Sequence, residues 1–482
     1  MNCKENMTML MDFYELTMSN GYFEHNLKDK IVCFDMFFRK IPDNGGFAIM
    51  AGLEQFIDYI RQLSFNDEDI EYLRSKNLFC EEFLTYLKNF SFSCDVYAVP
   101  EGTPIFPGEP IIKVIGPIIE AQLIETMLLL TINHQCLIAT KSNRIVRAAK
   151  GRPVMEFGSR RAQGNTGATL GARASYIAGC AGTACTLSDR LYGIPALGTM
   201  AHSWIQLFPT EYEAFMAYAQ TYPNSCTFLI DTYNVLNSGL PNAIKVFKEY
   251  LIPRGYTGGG VRIDSGDITY LSAKVRKILD SEGLENIKIV ASNSLDEYII
   301  RDLIHQGAAI DSFGVGERLI TSRSEPVFGG VYKLVSVFDK DGAEIPKIKL
   351  SENISKITTP CNKKLVRFYS NENNKAIADL IMCADEAVPD GTDYVIFDPE
   401  HTWKRKTVTD YYVRELLVPI FKNGKCVYES PDIEQIRSYC LSQIDGLWDE
   451  VKRFENPHTY YVDLSEKLWN IKHDLLKEHG NK

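Results

Sequence analysis

The chain has 482 residues, 45% of them apolar and 24% charged, enough for a large core and two or three domains. Its formal net charge of −10 argues against nucleic acid or an anionic membrane surface as the main partner, while leaving room for a local basic pocket. Twelve cysteines are scattered without a C-x-x-C or a Cys/His cluster, which fits buried reduced thiols and points away from a disulfide frame or a zinc site.

The N-terminal "MNCKENMTMLMDFYEL" holds acids and no long apolar core, unlike a signal peptide, and a cytoplasmic location is expected. "IVCFDMFFRKIP" alternates apolar and polar positions and reads as a strand ending by Pro42. "GLEQFIDYIRQL" has helical spacing, and "VYAVPEGTPIFPGEPIIKVIGP" reads as short strands with turns. "IEAQLIETMLLLTINHQCLIA" carries two glutamates, which fits a buried helix better than a membrane span.

The middle third alternates short apolar runs with amphipathic helical stretches. The runs are "PVMEFG", "PALGTMAHS", "TFLIDTY", "GVRIDSGD", "IKIVASNS", "AIDSFGVG" and "GVYKLV". Such alternation means βα units on a parallel sheet, and seven or eight units favour closure into a barrel. The last third breaks the pattern, with turns at Asp341-Gly342 and Asn423-Gly424 and helix-like segments at the end. The expected class is α/β: an irregular, TIM-like α/β barrel over 141–340, with 1–140 and 341–482 packing together as an α/β lobe.

Barrel chemistry gathers where strands end. Here the runs end in Glu156, Arg160 and Arg161; His202 and Ser203; Asp231; Arg262, Asp264 and Asp267; Ser292 and Asn293; and Asp311, Gly314 and Gly316. Arg262 and Asp264 share one strand face, suited to a phosphate or ring and to a polyhydroxyl group or Mg²⁺; an internal salt bridge is the equal alternative. Arg160 and Arg161 suit carboxylates and phosphates, with Gly158 and Gly164 allowing close approach. The Gly314-x-Gly316 loop, with Ser292 and Asn293, offers backbone N–H groups for a phosphate. Asp231 could bind metal, orient His202 or cap a helix.

In order along the chain, "DFYELTMSNGYF", "FFRKIP", "EFGSRRAQG", "GTMAHSWI", "LIDTYNV", "VRIDSGD", "DSFGVGERL", "GGVYKLV" and "RFENPHTYYVDLSEKL" resemble the nicotinate phosphoribosyltransferases. The resemblance implies that nicotinate and phosphoribosyl pyrophosphate give nicotinate mononucleotide and pyrophosphate in NAD salvage, with coupled ATP hydrolysis and Mg²⁺ on the pyrophosphate. It implies a homodimer with shared active sites and no nucleic acid or membrane partner. His202 matches the phosphorylated histidine, with Asp231 holding its ring. Tyr14 and Phe157 match the aromatic pair around the pyridine. Arg160, Arg262 and Ser203 fall at the substrate; Asp264 at ribose hydroxyls or metal-bound water; Ser292, Asn293, Gly314 and Gly316 at the 5′-phosphate; and Arg39 and Lys40 at the pyrophosphate.

Three other readings compete. A nicotinamide phosphoribosyltransferase would place an acid in the stretch equivalent to "IAGCAGTACTL", which has none. A sugar-phosphate lyase or isomerase would want a Schiff-base lysine or a carboxylate base at a strand end, and Lys333 is the one lysine those runs carry there. A non-catalytic phosphometabolite-binding protein would keep the phosphate loops without needing His202 or Asp231.

Overall fold

The computed structural model describes residues 6–353, 356–389 and 391–480. The start of the N-terminal stretch, residues 1–5, lies outside the described residues. The chain divides into two compact units, Met1–Leu137 with Val327–Lys482, and Ile138–Pro326; the first division falls within helix Glu125–Ala148.

The first unit is built on a seven-stranded antiparallel sheet. Its order is Glu344–Pro346, Gly330–Phe338, Ile31–Phe38, Ile112–Pro117, Asp95–Ala98, Val418–Lys422 and Lys425–Cys426. Both chain ends therefore share one sheet. Strand Ile31–Phe38 is buried on both faces over residues 32–36, so its mixed pattern does not mark a solvent face. Its one carboxylate, Asp35, is buried and lies 2.7 Å from the Lys363 ammonium, since a buried charge needs a partner. The two turns form where Asn-Gly and Asp-Gly allow positive φ: Asn423 and Gly424 join Val418–Lys422 to Lys425–Cys426, and Gly342 has φ 82°.

A smaller sheet pairs Tyr411–Glu415, Lys363–Ser370, Ala376–Cys383 and Val462–Leu464. The stretch Ile118–Ala148 is long and apolar enough to cross a membrane by length and composition, yet its most apolar part is 67% buried inside the protein.

The second unit carries a parallel sheet of six strands. Its order is Gly182–Thr183, Val154–Glu156, Ser312–Val315, Lys288–Ser292, Gly260–Ile263 and Thr227–Leu229. Helices follow the strands, as with Ile268–Ser281 after Gly260–Ile263 and Glu297–His305 after Lys288–Ser292. Strand interiors such as Val261, Ile263, Ile289 and Phe313 are fully buried, as parallel sheets require.

Three expectations are corrected. The hydrogen-bonded row is open, with Gly182–Thr183 and Thr227–Leu229 as its edges, so the expected closed barrel is not seen. Between those edges "PALGTMAHS" is not a strand. Pro195 has no N–H to donate, and the run makes one bridge, Thr183 to Ala196, before His202 opens a helix. The run "GVYKLV" does not join the parallel sheet either: Gly330–Phe338 pairs antiparallel with Ile31–Phe38 in the other unit.

Candidate active site

Four strand ends of the second unit meet around one hydrogen-bonded network. Arg262 is on strand Gly260–Ile263, where alternation turns it and Asp264 to the same side. Its guanidinium donates to Ser292 Oγ at 2.8 Å, Thr199 Oγ1 at 2.9 Å and Asp264 Oδ1 at 2.7 Å. The Ser292 hydroxyl donates in turn to Asp264 Oδ1. Three donors fixed in one plane are a use that only a guanidinium serves.

Asp231 follows strand Thr227–Leu229. Its Oδ2 accepts from the Asp264 N–H at 3.1 Å and from the Ser265 hydroxyl at 2.6 Å. Its Oδ1 is buried and without a hydrogen-bond partner among the described residues. Asp231 thus holds the Asp264–Ser265 backbone and not the His202 ring, which corrects one expectation. The ring is held by a residue that sequence reasoning missed: His202 Nδ1 lies 3.1 Å from Thr232 Oγ1. His202 Nε2 stands 3.9 Å from Asp264 Oδ2, too long for a hydrogen bond. The imidazole is half-exposed at the start of helix His202–Gln206, and Ser203 beside it is exposed.

Phe157 continues strand Val154–Glu156, its N–H donating to Val315 O at 2.7 Å. The Arg262 guanidinium lies 5.8 Å from its ring centroid. The ring also sits so close to Gly314 that a Cβ there would be 2.6 Å from Phe157 Cδ2. At Gly316 a Cβ would meet Phe157 O at 3.1 Å. The two glycines therefore make room for Phe157. Glu156, expected at the strand end, is fully buried and structural: it accepts from the Thr183 hydroxyl at 2.6 Å and from the Gly158 N–H, and burial pushes its carboxyl up. Asp267 caps helix Ile268–Ser281, and Asp311 accepts from the Ile289 N–H at 2.8 Å.

The cleft beside this network is lined by Phe157, Ser292, Asn293, Ser294 and five arginines, 160, 161, 262, 318 and 323, against the acids Asp264 and Glu317. Asn293 and Ser294 both have positive φ, 78° and 52°, which turns the chain sharply between strand Lys288–Ser292 and the Asp296 cap of helix Glu297–His305. Arg318 pairs with Asp296, and Arg323 lies 3.2 Å from Glu317. Arg160 and Arg161, exposed on the turn Ser159–Arg161, make no ion pair among the described residues. A net-acidic chain has thus gathered a cationic, phosphate-sized cleft at its strand ends.

Thr199, Thr232, Ser294, Arg318 and Arg323 were not singled out from sequence. Thr232 and Arg318 stand inside the quoted "LIDTYNV" and "DSFGVGERL", so adjacency to a chosen residue was the available signal. Tyr14, Arg39 and Lys40 belong to the first unit. Tyr14 is 43% exposed on helix Phe13–Glu24, and Arg39 and Lys40 follow strand Ile31–Phe38.

Three family models match in chain order: the nicotinate phosphoribosyltransferase N-terminal domain at 9–133, the nicotinate phosphoribosyltransferase family at 153–380 and its C-terminal domain at 362–472. The nicotinate phosphoribosyltransferase of Bacillus subtilis is 41% identical over 474 residues, 98% of this chain and 96% of that protein. The human nicotinate phosphoribosyltransferase is 30% identical over 97% of this chain and 96% of its own length. A crystal structure of the human enzyme superposes with a TM-score of 0.85 at 29% identity, covering 96% of this chain and 99% of that one. The nicotinate-nucleotide pyrophosphorylase structure from Pyrococcus furiosus gives 0.70 at 25% identity, over 92% and 96%. Ordered matches along nearly the whole length, on a chain whose strand ends build a cationic cleft, place it in the nicotinate phosphoribosyltransferase family.

Proposed function

We infer that the protein joins nicotinate to phosphoribosyl pyrophosphate, giving nicotinate mononucleotide and pyrophosphate in NAD salvage, with ATP hydrolysis coupled through phosphorylation of His202. The observation that carries this reading is the single network of Arg262, Asp264, Ser292 and Asp231, with His202 at its edge and a cleft of arginines beside it.

The pyridine nitrogen lone pair forms the bond to the ribose anomeric carbon as the carbon–oxygen bond to pyrophosphate breaks. The nitrogen is already nucleophilic, so no strong base is required. The chain has to align the two reactants and stabilise departing negative charge. Phe157 offers a ring face to the pyridine. Arg160 and Arg161 are available for its carboxylate or for phosphate oxygens. Asp264, fixed by Arg262 and Ser292, is placed to accept from ribose hydroxyls. The glycine turn at 314–316 and the Asn293-Ser294 turn line the 5′-phosphate end.

Mg²⁺ fits this site as a companion of the pyrophosphate. Asp231 Oδ1 is a buried oxygen without a partner, Asp264 is its neighbour, and no group of three or more His, Cys, Asp or Glu among the described residues would hold a metal alone. When bound, the ion supplies charge neutralisation to the leaving group.

The exposed His202 ring, steadied at Nδ1 by Thr232, is the phosphoryl acceptor. Nicotinate is favoured over nicotinamide because "IAGCAGTACTL" brings no carboxylate to repel the acid. A lyase reading loses its lysine, since Lys333 stands in the antiparallel sheet of the first unit, 3.6 Å from Glu125. The functional form is a homodimer in which Tyr14 of one copy serves the cleft of the other. Exposed Leu10, Phe13, Tyr14 and Met18, clustered at the start of helix Phe13–Glu24, support an interface there.

The test is product formation from nicotinate, and separately from nicotinamide, with phosphoribosyl pyrophosphate, with and without ATP. His202→Ala is expected to abolish coupled ATP hydrolysis and spare some ATP-independent transfer. Undiminished ATPase activity in that variant sinks the phosphohistidine assignment, and absence of nicotinate mononucleotide under all conditions sinks the transfer reading.

A further inference from the structure

We propose that Glu15 is a positioning residue for Tyr14, fixing the start of helix Phe13–Glu24 against the first turn of helix Glu125–Ala148. This rests on the reading of Tyr14 as a pyridine-stacking ring.

The argument begins with a missing cap. Asp12 occupies the N-cap of helix Phe13–Glu24, but its side chain makes no capping hydrogen bond. The helix start is tied elsewhere. The Asp12 N–H donates to Thr126 Oγ1 at 3.0 Å. The Thr126 hydroxyl donates onward to Glu15 Oε1, and the Thr126 N–H donates to the same oxygen at 3.1 Å. These three bonds close a staple that brackets Tyr14 on both sides, at residues 12 and 15. The Tyr14 ring itself is left 43% exposed, while Glu15 is completely buried. A helical residue between two tied neighbours has little freedom beyond its own side-chain torsions. Burial and then the nearby Glu125 carboxylate hold the Tyr14 phenol above its ordinary value, and Gln122 Nε2 donates to that carboxylate at 2.7 Å.

A buried carboxylate is a costly way to join two helices unless its charge is supported. The N-terminus of helix Glu125–Ala148 supplies partial positive charge at Thr126, where Glu15 docks. The support is incomplete. Glu15 Oε2 is buried with no partner among the described residues, and burial pushes the carboxyl up to about 7 against the pull of the Thr126 bonds. An apolar side chain would pack in this place without such a penalty. The carboxylate adds direction, because both Thr126 donors aim at one oxygen and set the helix register.

The experiment compares full-length Tyr14→Ala, Glu15→Ala, Glu15→Gln and Thr126→Val for kcat and for KM with each substrate, alongside melting temperature. Loss of the staple lets the ring wander by about 1 Å, a displacement that costs roughly ten- to a hundredfold in a well-oriented site. Glu15→Ala is therefore expected to raise the nicotinate KM about tenfold, with the phosphoribosyl pyrophosphate KM changed less than about twofold. Glu15→Gln keeps an acceptor for both Thr126 donors and is expected to restore most of the nicotinate KM. If Glu15→Ala does not fold, Thr126→Val carries the test, since it removes the hydroxyl bonds at nearly constant volume. Nicotinate KM values at wild-type level in Glu15→Ala and Thr126→Val, with Tyr14→Ala raised, overturn the role of Glu15. A wild-type nicotinate KM in Tyr14→Ala overturns the reading of Tyr14 on which it rests.

Discussion

Replacing Gly314 with alanine sets a methyl group 2.6 Å from Phe157 Cδ2, 2.8 Å from Cε2 and 3.4 Å from Ser292 Cβ. The glycine has no left-handed φ, so the strain comes from these contacts alone. Carbon atoms settle at about 3.5–4.0 Å, so the ring has to withdraw by about 1 Å or the strand has to bend. Overpacking of this kind costs about 1–3 kcal/mol, with the lower figure applying if the ring yields. On the proposed reading a displaced ring would lose its stack on the pyridine, and an offset stack is worth about 0.5–1.5 kcal/mol. That range converts to a rise of about two- to twelvefold in the nicotinate KM. Initial rates against each substrate, with the other saturating, measure it. The phosphoribosyl pyrophosphate KM is expected to move less, because the methyl group points at Phe157 and not into the phosphate turn. An unchanged nicotinate KM with a raised phosphoribosyl pyrophosphate KM would refute this and leave Gly314 to the phosphate alone.

Arg262→Lys keeps the charge but replaces a fork holding Ser292, Thr199 and Asp264 with a single nitrogen. Losing two charge-assisted bonds is expected to lower kcat/KM by about 10²-fold or more, and full activity in the lysine variant contradicts the scaffold role of the guanidinium. The Glu15 carboxyl titrates at about 7 in the folded chain, against an ordinary 4.5. Between these values the folded chain keeps a proton that the unfolded chain has released, so this stabilisation is whole at low pH and is lost as pH rises through about 7. Denaturant midpoints at about pH 5 and about pH 8 are expected to differ less in Glu15→Gln than in the parent, and identical differences contradict the shift.

The strand ends were legible because chemistry and period coincide there. "GVRIDSGD" and "TFLIDTY" each join a short apolar run to an acid, and both open as strands, Gly260–Ile263 and Thr227–Leu229, that lead into network residues. What misled the reading was local ambiguity of apolar runs. "GVYKLV" looks like any buried parallel strand, and nothing in its own residues reveals that its partner, Ile31–Phe38, lies some three hundred residues upstream. "PALGTMAHS" is apolar enough for a strand, but Pro195 has no N–H to donate and Gly198 adds no side chain to pack. Thr232 and Thr199 escaped notice because a hydroxyl becomes a site residue only through what faces it. For Gly314 the sequence suggests a phosphate turn between strand and helix, and the structure adds a second requirement that sequence does not show, the ring of Phe157, more than 150 residues away.

The charges of the cleft divide its arginines into two kinds. Arg262 is committed internally: its bonds to Asp264, Ser292 and Thr199 are made before any substrate arrives, so it cannot turn to a phosphate without stranding Asp264. Arg318 is likewise bound to the Oδ2 of Asp296, whose Oδ1 caps helix Glu297–His305, so freeing it would leave that capping carboxylate without its cation. Arg323 differs. Its pair with Glu317 joins side chains 62% and 48% exposed, the kind of contact that contributes little and breaks readily. Arg160 and Arg161 have no ion pair to break among the described residues. On the proposed reading an incoming polyanion meets a rigid inner frame, with Asp264 placed for the ribose, and an outer set of 160, 161 and 323 that can swing onto phosphate or carboxylate oxygens. Transition-state stabilisation needs the first to be immobile, and capture of a flexible, highly charged substrate needs the second to be free.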